Sequence, residues 1–210
     1  MEKKMDQIAG QLDDLLKQEA YVDRGRIPEV DLYMDQVLSF MNEHLRDYAR
    51  DPENDRILTK TMINNYVKNG ILMPPVKKKY SLEHMMILMM IFYLKNFLSI
   101  EDIGHILQPV KDAAGIRGRH DSPAARGKEQ NVELGSVYEE IFSGLSGNAD
   151  VFSEDFRKKL GDAERAFSGA DLPEKEKERL KRVYLVCQMS AEIYLNKLLI
   201  ERMIDAGDFD

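Results

Sequence analysis

From Arg56 to Leu82 the chain carries six Lys or Arg and no Asp or Glu, although the whole sequence holds 30 basic against 37 acidic residues. The remainder is 24 basic against 37 acidic, a net of −13. A local reversal of that size bears on partners, because charge asymmetry shapes long-range fields and association more than it shapes a core. Within the stretch, Lys60, Thr61, Asn64, Asn65 and Lys68 recur at i, i+1, i+4, i+5 and i+8, while Met62, Ile63, Tyr66 and Val67 take the other side. A helix that enters the DNA major groove needs this division: one face docks on its own domain and the other bonds base edges and phosphates. Each Asn carboxamide presents an acceptor and a donor, the pairing that suits adenine N6 and N7, and Lys60 and Lys68 fall where phosphates would lie. Tyr66 either anchors this helix or touches the DNA backbone. Lys77, Lys78 and Lys79, followed by Tyr80, come just after it and can reach flanking phosphates or the minor groove. A carboxylate anywhere in this set would repel a phosphate, which gives its absence a reason.

The elements that must hold these residues are mostly helices. Thr59 can cap a helix by accepting a backbone N–H, and Gly70 can supply the left-handed residue that ends one, which bounds a helix over about 60–69. Pro74 and Pro75 forbid helix, so the residues around Val76 to Tyr80 are expected to form a small basic wing. Ser81 caps a further helix through about Asn96, with Glu83 in its favourable first turn. Its run from Met85 to Leu94 is apolar all round, and its methionines are expected to fill a core rather than line a pocket. Ser99 caps the next helix, which turns Ile100, Ile103, Ile106 and Leu107 inward. Upstream, Val30, Tyr33, Met34, Val37, Leu38, Met41 and Leu45 recur at threes and fours, predicting an amphipathic helix over about 29–48 started by Pro28; Arg50 to Asp55 is a loop.

The chain is expected to divide into a helical extension (1–26), a DNA-reading module (27–110), a flexible linker (111–130) and a C-terminal helical domain (131–210). The linker reading rests on the near absence of large apolar residues between Lys111 and Gln130. Helical patterns follow at about 132–144, 153–167 and 173–205. In the last, Val183, Tyr184, Val186, Cys187, Ile193, Tyr194, Leu198 and Leu199 surround the axis, so neighbours or a second subunit must bury it.

The segment "MINNYVKNGILMPP...KKKYSLEHMMILMMIFYLKNFLSIEDIGHIL", about 62–107, resembles the winged-helix module of the mercury-resistance regulator (MerR) superfamily. There a recognition helix ends in an aromatic, a basic residue and a Gly-aliphatic-aliphatic turn, matched by Tyr66, Lys68 and Gly70-Ile71-Leu72. A wing then leads to a Tyr and a capped helix, matched by Tyr80, Ser81 and Glu83, and a final helix opening on S-I-E-D-I is matched from Ser99 to Ile103. The residues 27–110 are also similar to a bacterial, mainly Gram-positive family built on a domain of unknown function. The resemblance implies a mainly α fold, a MerR-like winged helix-turn-helix followed by a C-terminal helical domain, and a regulatory role.

Other chemistries find little support. His44, His84, His105 and His120 are dispersed and define no metal site. Cys187 is the single cysteine, lies in apolar sequence expected to be core, and points to a reducing cytoplasm. Neither a Gly-rich phosphate loop nor a G-x-S-x-G motif occurs. The acidic residues from Asp150 to Glu164 read as a solvated helix face. No enzyme activity and no cofactor are therefore expected. The N-terminus lacks a secretory signal pattern, and the ten-residue apolar run is about half of the roughly 20 residues a membrane-crossing helix needs. The expected partners are double-stranded DNA, a second copy in a homodimer, and an unidentified small-molecule effector between the linker and the C-terminal helices. The alternative is a protein-interaction adaptor in which the basic face docks an acidic partner and the winged-helix shape is only scaffold.

Overall fold

A computed structural model describes residue 10 and residues 22–116, 132–146, 149–207 and 209. The described residues are mainly helical: α1 (Met34–Leu45), α2 (Lys60–Lys68), α3 (Leu82–Leu94), α4 (Ile100–Ala113), α5 (Leu134–Ser146), α6 (Ala149–Arg165) and α7 (Glu174–Asp205). One small antiparallel sheet joins β1 (Leu32–Tyr33) to β2 (Lys79–Tyr80), with Leu32 opposite Tyr80 and Tyr33 opposite Lys79. By its internal contacts the chain divides into two compact units, one holding residues 22–142 and those from 203 on, the other holding 143–202 among the described residues.

The core of the first unit is α3. Every residue from His84 to Phe92 is buried, as a helix without a polar face requires. Its start is fixed by a side chain of its own first turn: the Ser81 N–H donates to His84 Nδ1 at 3.1 Å. With Nδ1 accepting, the neutral ring carries its proton on Nε2, which faces the Pro74 carbonyl at 3.4 Å. His84 thus ties the Pro-Pro break to the helix it precedes.

Around this core the amphipathic α1 turns Val37, Met41 and Leu45 inward. It begins at Met34, not near Pro28, because Leu32 and Tyr33 pair with β2 and the Tyr33 N–H is capped by Gln36 Oε1 at 2.8 Å. Val30 and Tyr33, expected on the apolar face, are 69% and 54% exposed. At the start of α4, Ser99 and Asp102 cap each other reciprocally at 3.1 and 3.2 Å. That helix continues through Pro109 to Ala113, past Lys111, where the linker was expected to begin. From residue 117 to 130 the expected linker lies outside the described residues, as do His120 and, apart from residue 10, residues 1–21 of the expected extension.

The first unit also takes in the start of α5. The Tyr138 hydroxyl donates to the Val22 carbonyl at 2.6 Å, and Arg24 Nη2 reaches Glu133 Oε1 at 2.7 Å. Phe142 stands 4.5 Å from Tyr138 and 5.3 Å from Tyr93, ring centre to ring centre. The edge of this unit therefore falls at Phe142, beyond the boundary at residue 131 that composition suggested.

In the second unit Phe156 and Ala163 of α6 pack on Leu185 of α7, with Leu160, Tyr184 and Met189 around them. Lys159 bridges the two helices, bonded to Asp155 and, at 2.9 Å, to Glu192. Among the described residues, only that inner side of α7 is covered. Cys187, expected in a core, is exposed, and so are Val183, Val186, Ile193, Tyr194 and Leu199.

Burial lowers the proton affinity of His84, only partly offset by the Pro74 carbonyl and Glu83. An unfolded His takes up its proton below about pH 6.5, while the folded ring resists it, so stability is full above that pH and declines as pH falls through it. Urea midpoints measured from pH 7.5 to 5.5 should show a shallower decline for His84→Gln than for the wild-type chain; parallel declines would mean that His84 does not set it.

Candidate nucleic-acid interface

The position of α2 follows from local sequence at both ends. Thr59 Oγ1 accepts the Met62 N–H at 3.2 Å, satisfying one of the open donors of the first turn. At the other end Gly70 adopts φ +72°, the Ile71 N–H bonds the Tyr66 carbonyl at 3.0 Å, and the Gly70 N–H bonds the Val67 carbonyl at 3.2 Å. This is a Schellman termination, with Ile71 and Tyr66 both buried as its apolar contact. Lys111, 6% exposed, places its ammonium 3.0 Å from the Gly70 carbonyl. A cation is favoured at that negative end of the helix, and the bond pins the end of α2 to α4. Between this turn and α4 runs an open groove of about 510 Å³, bordered by Asn69, Ile71, Ile100, Glu101, His105 and Gln108.

The outer face of α2 is as polar as its spacing requires. Lys60, Thr61, Asn64, Asn65 and Lys68 are exposed, while Ile63 and Tyr66 are buried. Both tyrosines of the predicted set are inward: Tyr66 is 5% and Tyr80 3% exposed, and burial raises the proton affinity of each phenolate. They hold the helix and the hairpin in place and present no face to a partner.

The three lysines after the Pro-Pro break sit on a two-residue hairpin. Val76 and Lys79 exchange backbone hydrogen bonds of 3.0 and 2.9 Å, and Lys77 and Lys78 between them have φ of +50° and +65°. Such a turn is normally made by Asn-Gly, since a side chain in this region costs roughly 1–2 kcal/mol per residue. Two lysines there accept strain to put two ammonium groups at an exposed tip. Lys79 is turned back, half-buried, with its Nζ 5.2 Å from the centre of the Tyr33 ring.

The helix and the hairpin flank one short segment. Lys79 lies over Tyr33, and Lys60 Nζ lies 2.7 Å from Asp35 Oδ1, two residues further on. The hairpin base and the start of α2 are thereby brought together, with α1 beginning between them. The lysine-to-carboxylate pair is exposed on both sides, so it contributes at most about 1 kcal/mol and leaves Lys60 available. Among the described residues Lys68, Lys77 and Lys78 have no carboxylate partner.

Three contributors were missed from the sequence: Tyr33, Asp35 and Lys111. Tyr33 and Asp35 lie far from the basic stretch in the chain, and Lys111 reads as solvated. His44 bonds the Phe40 carbonyl at 3.0 Å within its own helix, and His84 serves the α3 start. Among the described residues no three His, Cys, Asp or Glu gather as a metal would need, and no helix is long and apolar enough to cross a membrane. The expected effector pocket beside the linker falls on residues outside those described.

The molecule is thus a mainly helical protein whose first unit presents a short polar helix beside a lysine-tipped hairpin. Residues 22–122 match the family model of a domain of unknown function, DUF1836. That agrees with the family of unknown function expected for 27–110, and no MerR-type resemblance emerges from it. No curated protein and no solved structure matches the chain.

If the hairpin tip is strained, replacing Lys77 with Asn and Lys78 with Gly should raise the unfolding free energy by roughly 1–2 kcal/mol. Urea denaturation of the double variant checks this; a loss of stability would show that the lysines suit this backbone.

Proposed function

We propose that the chain is a DNA-binding transcriptional regulator whose reading unit is a MerR-like winged helix-turn-helix. In this reading α1 and α2 form the helix pair, the β1–β2 ladder with its hairpin tip is the small basic wing, and α3 and α4 are the support. The observation that carries it is the pairing of an acid-free polar helix face with a hairpin that holds Lys77 and Lys78 at positive φ. A solvated surface gains nothing from strained lysines, whereas phosphates reward each ammonium placed beside them.

The residue roles follow from chemistry. Asn64 and Asn65 present carboxamides to base edges in the major groove; Lys60, Thr61 and Lys68 meet the adjoining backbone; Lys77 and Lys78 meet phosphates at the flank. Lys79, Tyr66 and Tyr80 act from within, by fixing the hairpin and the helix. Lys111 positions the end of α2. The C-terminal helices serve assembly or effector sensing, and no catalytic step is assigned.

One observation favours the adaptor reading. Asp35, exposed and bonded to Lys60, puts a carboxylate at the edge of the face, and the chain is acidic overall, with net charge −7. Salt response separates the two readings: duplex binding weakens log-linearly with salt, by roughly 0.9 per phosphate neutralised. The experiment is selection from genomic duplex fragments at about 50 mM salt, where phosphate contacts are strong. Enrichment of defined fragments is the expected result, and no retention of duplex DNA would refute the reader.

Contacts to bases and to phosphates also predict different losses. Asn64→Ala should change which fragments are preferred, with a cost of about 1–3 kcal/mol at the affected base pair, while Lys78→Ala should weaken all fragments alike. Uniform loss for both substitutions, measured by anisotropy titration, would remove direct readout from Asn64.

A further inference from the structure

The feature of the second unit that its own packing leaves unexplained is the outer side of α7. Val183, Val186, Ile193 and Tyr194 are 56%, 61%, 65% and 63% exposed. With Cys187 and Ser190 they recur at steps of three and four, so they make one strip opposite Leu185 and Met189. From Val183 to Asn196 the only charged residue is Glu192, and it is bonded to Lys159 on the inner side. The strip is therefore apolar and free of charge over more than three turns. Contiguous apolar surface larger than a few hundred Å² is uncommon on soluble monomers and marks an interaction site.

We infer that this strip is a self-association seam whose occupant is the same strip of a second copy, with the two α7 helices antiparallel. Three observations select that occupant. A partner recognised by charge, whether acidic protein, nucleic acid or anionic membrane, finds no complementary group along the strip, whereas a second copy offers an equally uncharged surface of equal length. Antiparallel pairing about Ser190, a small residue that lets two helices approach, sets Val186 level with the partner's Tyr194. The same pairing sets Arg179 level with the partner's Glu201 and Val183 level with the stem of the partner's Lys197, which is itself bonded to Glu201, so charged residues meet only at the two ends of the uncharged centre. Beside the strip lies a groove of about 130 Å³, with Phe152, Phe156, Met189 and Ile193 on its apolar side and Asn196 and the Asp155–Lys159–Glu192 bridge on its polar side, which offers a hole for a side chain of the second copy. Phe152, 50% exposed and lining that groove, widens the apolar surface toward the roughly 800 Å² per partner of a specific interface.

This assigns an assembly role to the C-terminal helices and is tested without nucleic acid, so it stands or falls separately from DNA reading. Sedimentation velocity of the full chain at about 50 µM, well above the micromolar range of weak specific dimers, should give a species of twice 24.2 kDa. Val186→Glu combined with Tyr194→Glu should weaken self-association roughly a hundredfold or more, as for loss of central apolar anchors, with the helical circular dichroism unchanged. Because both residues are exposed in one copy, folding of the variant is expected, and single Val186→Glu and Tyr194→Glu variants give the same reading if the pair misfolds. In a Cys187→Ser background, Ser190→Cys at the two-fold axis should crosslink under mild oxidant, while native Cys187, level with the partner's Ile193, should crosslink far less. A monomer at this concentration overturns the inference. So does a dimer indifferent to both glutamates, or efficient crosslinking through Cys187.

Discussion

A helix with nine consecutive buried residues, His84 to Phe92, cannot meet water on any side, and the first unit is organised by that constraint. Burying such a helix is driven by the roughly 25 cal/mol gained per Å² of apolar surface removed from water. It leaves its neighbours little choice about which faces turn inward. Ile63 and Tyr66 of α2, Val37, Met41 and Leu45 of α1, and Ile103 and Leu107 of α4 are the buried stripes of helices that keep polar outer sides. The exposed carboxamides and lysines of α2 are the complement of that demand.

Placement beyond the helix stripes is set by few polar contacts. His84 bonds both the backbone that opens α3 and the carbonyl of Pro74, and so fixes how the chain leaves the Pro-Pro break. Lys111 holds the left-handed turn at Gly70 from α4. Between Pro74 and Ser81, both bonded to His84, the chain turns in a tight hairpin that holds two lysines at positive φ. Stability alone favours Asn-Gly there, which is why charge at the tip calls for a functional reading.

What the sequence made legible was local. Thr59 and Gly70 bound α2 because caps act within a turn or two, and the split between its apolar and polar faces needs only a period of 3.6 residues. The burial of Met85 to Ile91 was readable for the same reason. β1 was not: two residues carry no periodicity, and their partners Tyr80 and Lys79 lie across the sheet, so in the sequence alone Tyr33 keeps the spacing of a helix face. Lys111 reads as linker in the sequence because lysine is almost never fully buried, and the Gly70 carbonyl it bonds lies just past the end of another helix. Cys187 sits in apolar sequence yet faces outward, since periodicity shows which residues share a side but not which side has a neighbour.

The central claim is that the outer face of α2 and the hairpin tip form one contact surface for duplex DNA. Lysine acylation read residue by residue by mass spectrometry tests it directly, with and without genomic duplex fragments at low salt. The account predicts that Lys60, Lys68, Lys77 and Lys78 become protected together while lysines of α7, such as Lys175 and Lys177, keep their reactivity. Protection confined to other lysines, or none at all with DNA in excess, would contradict it.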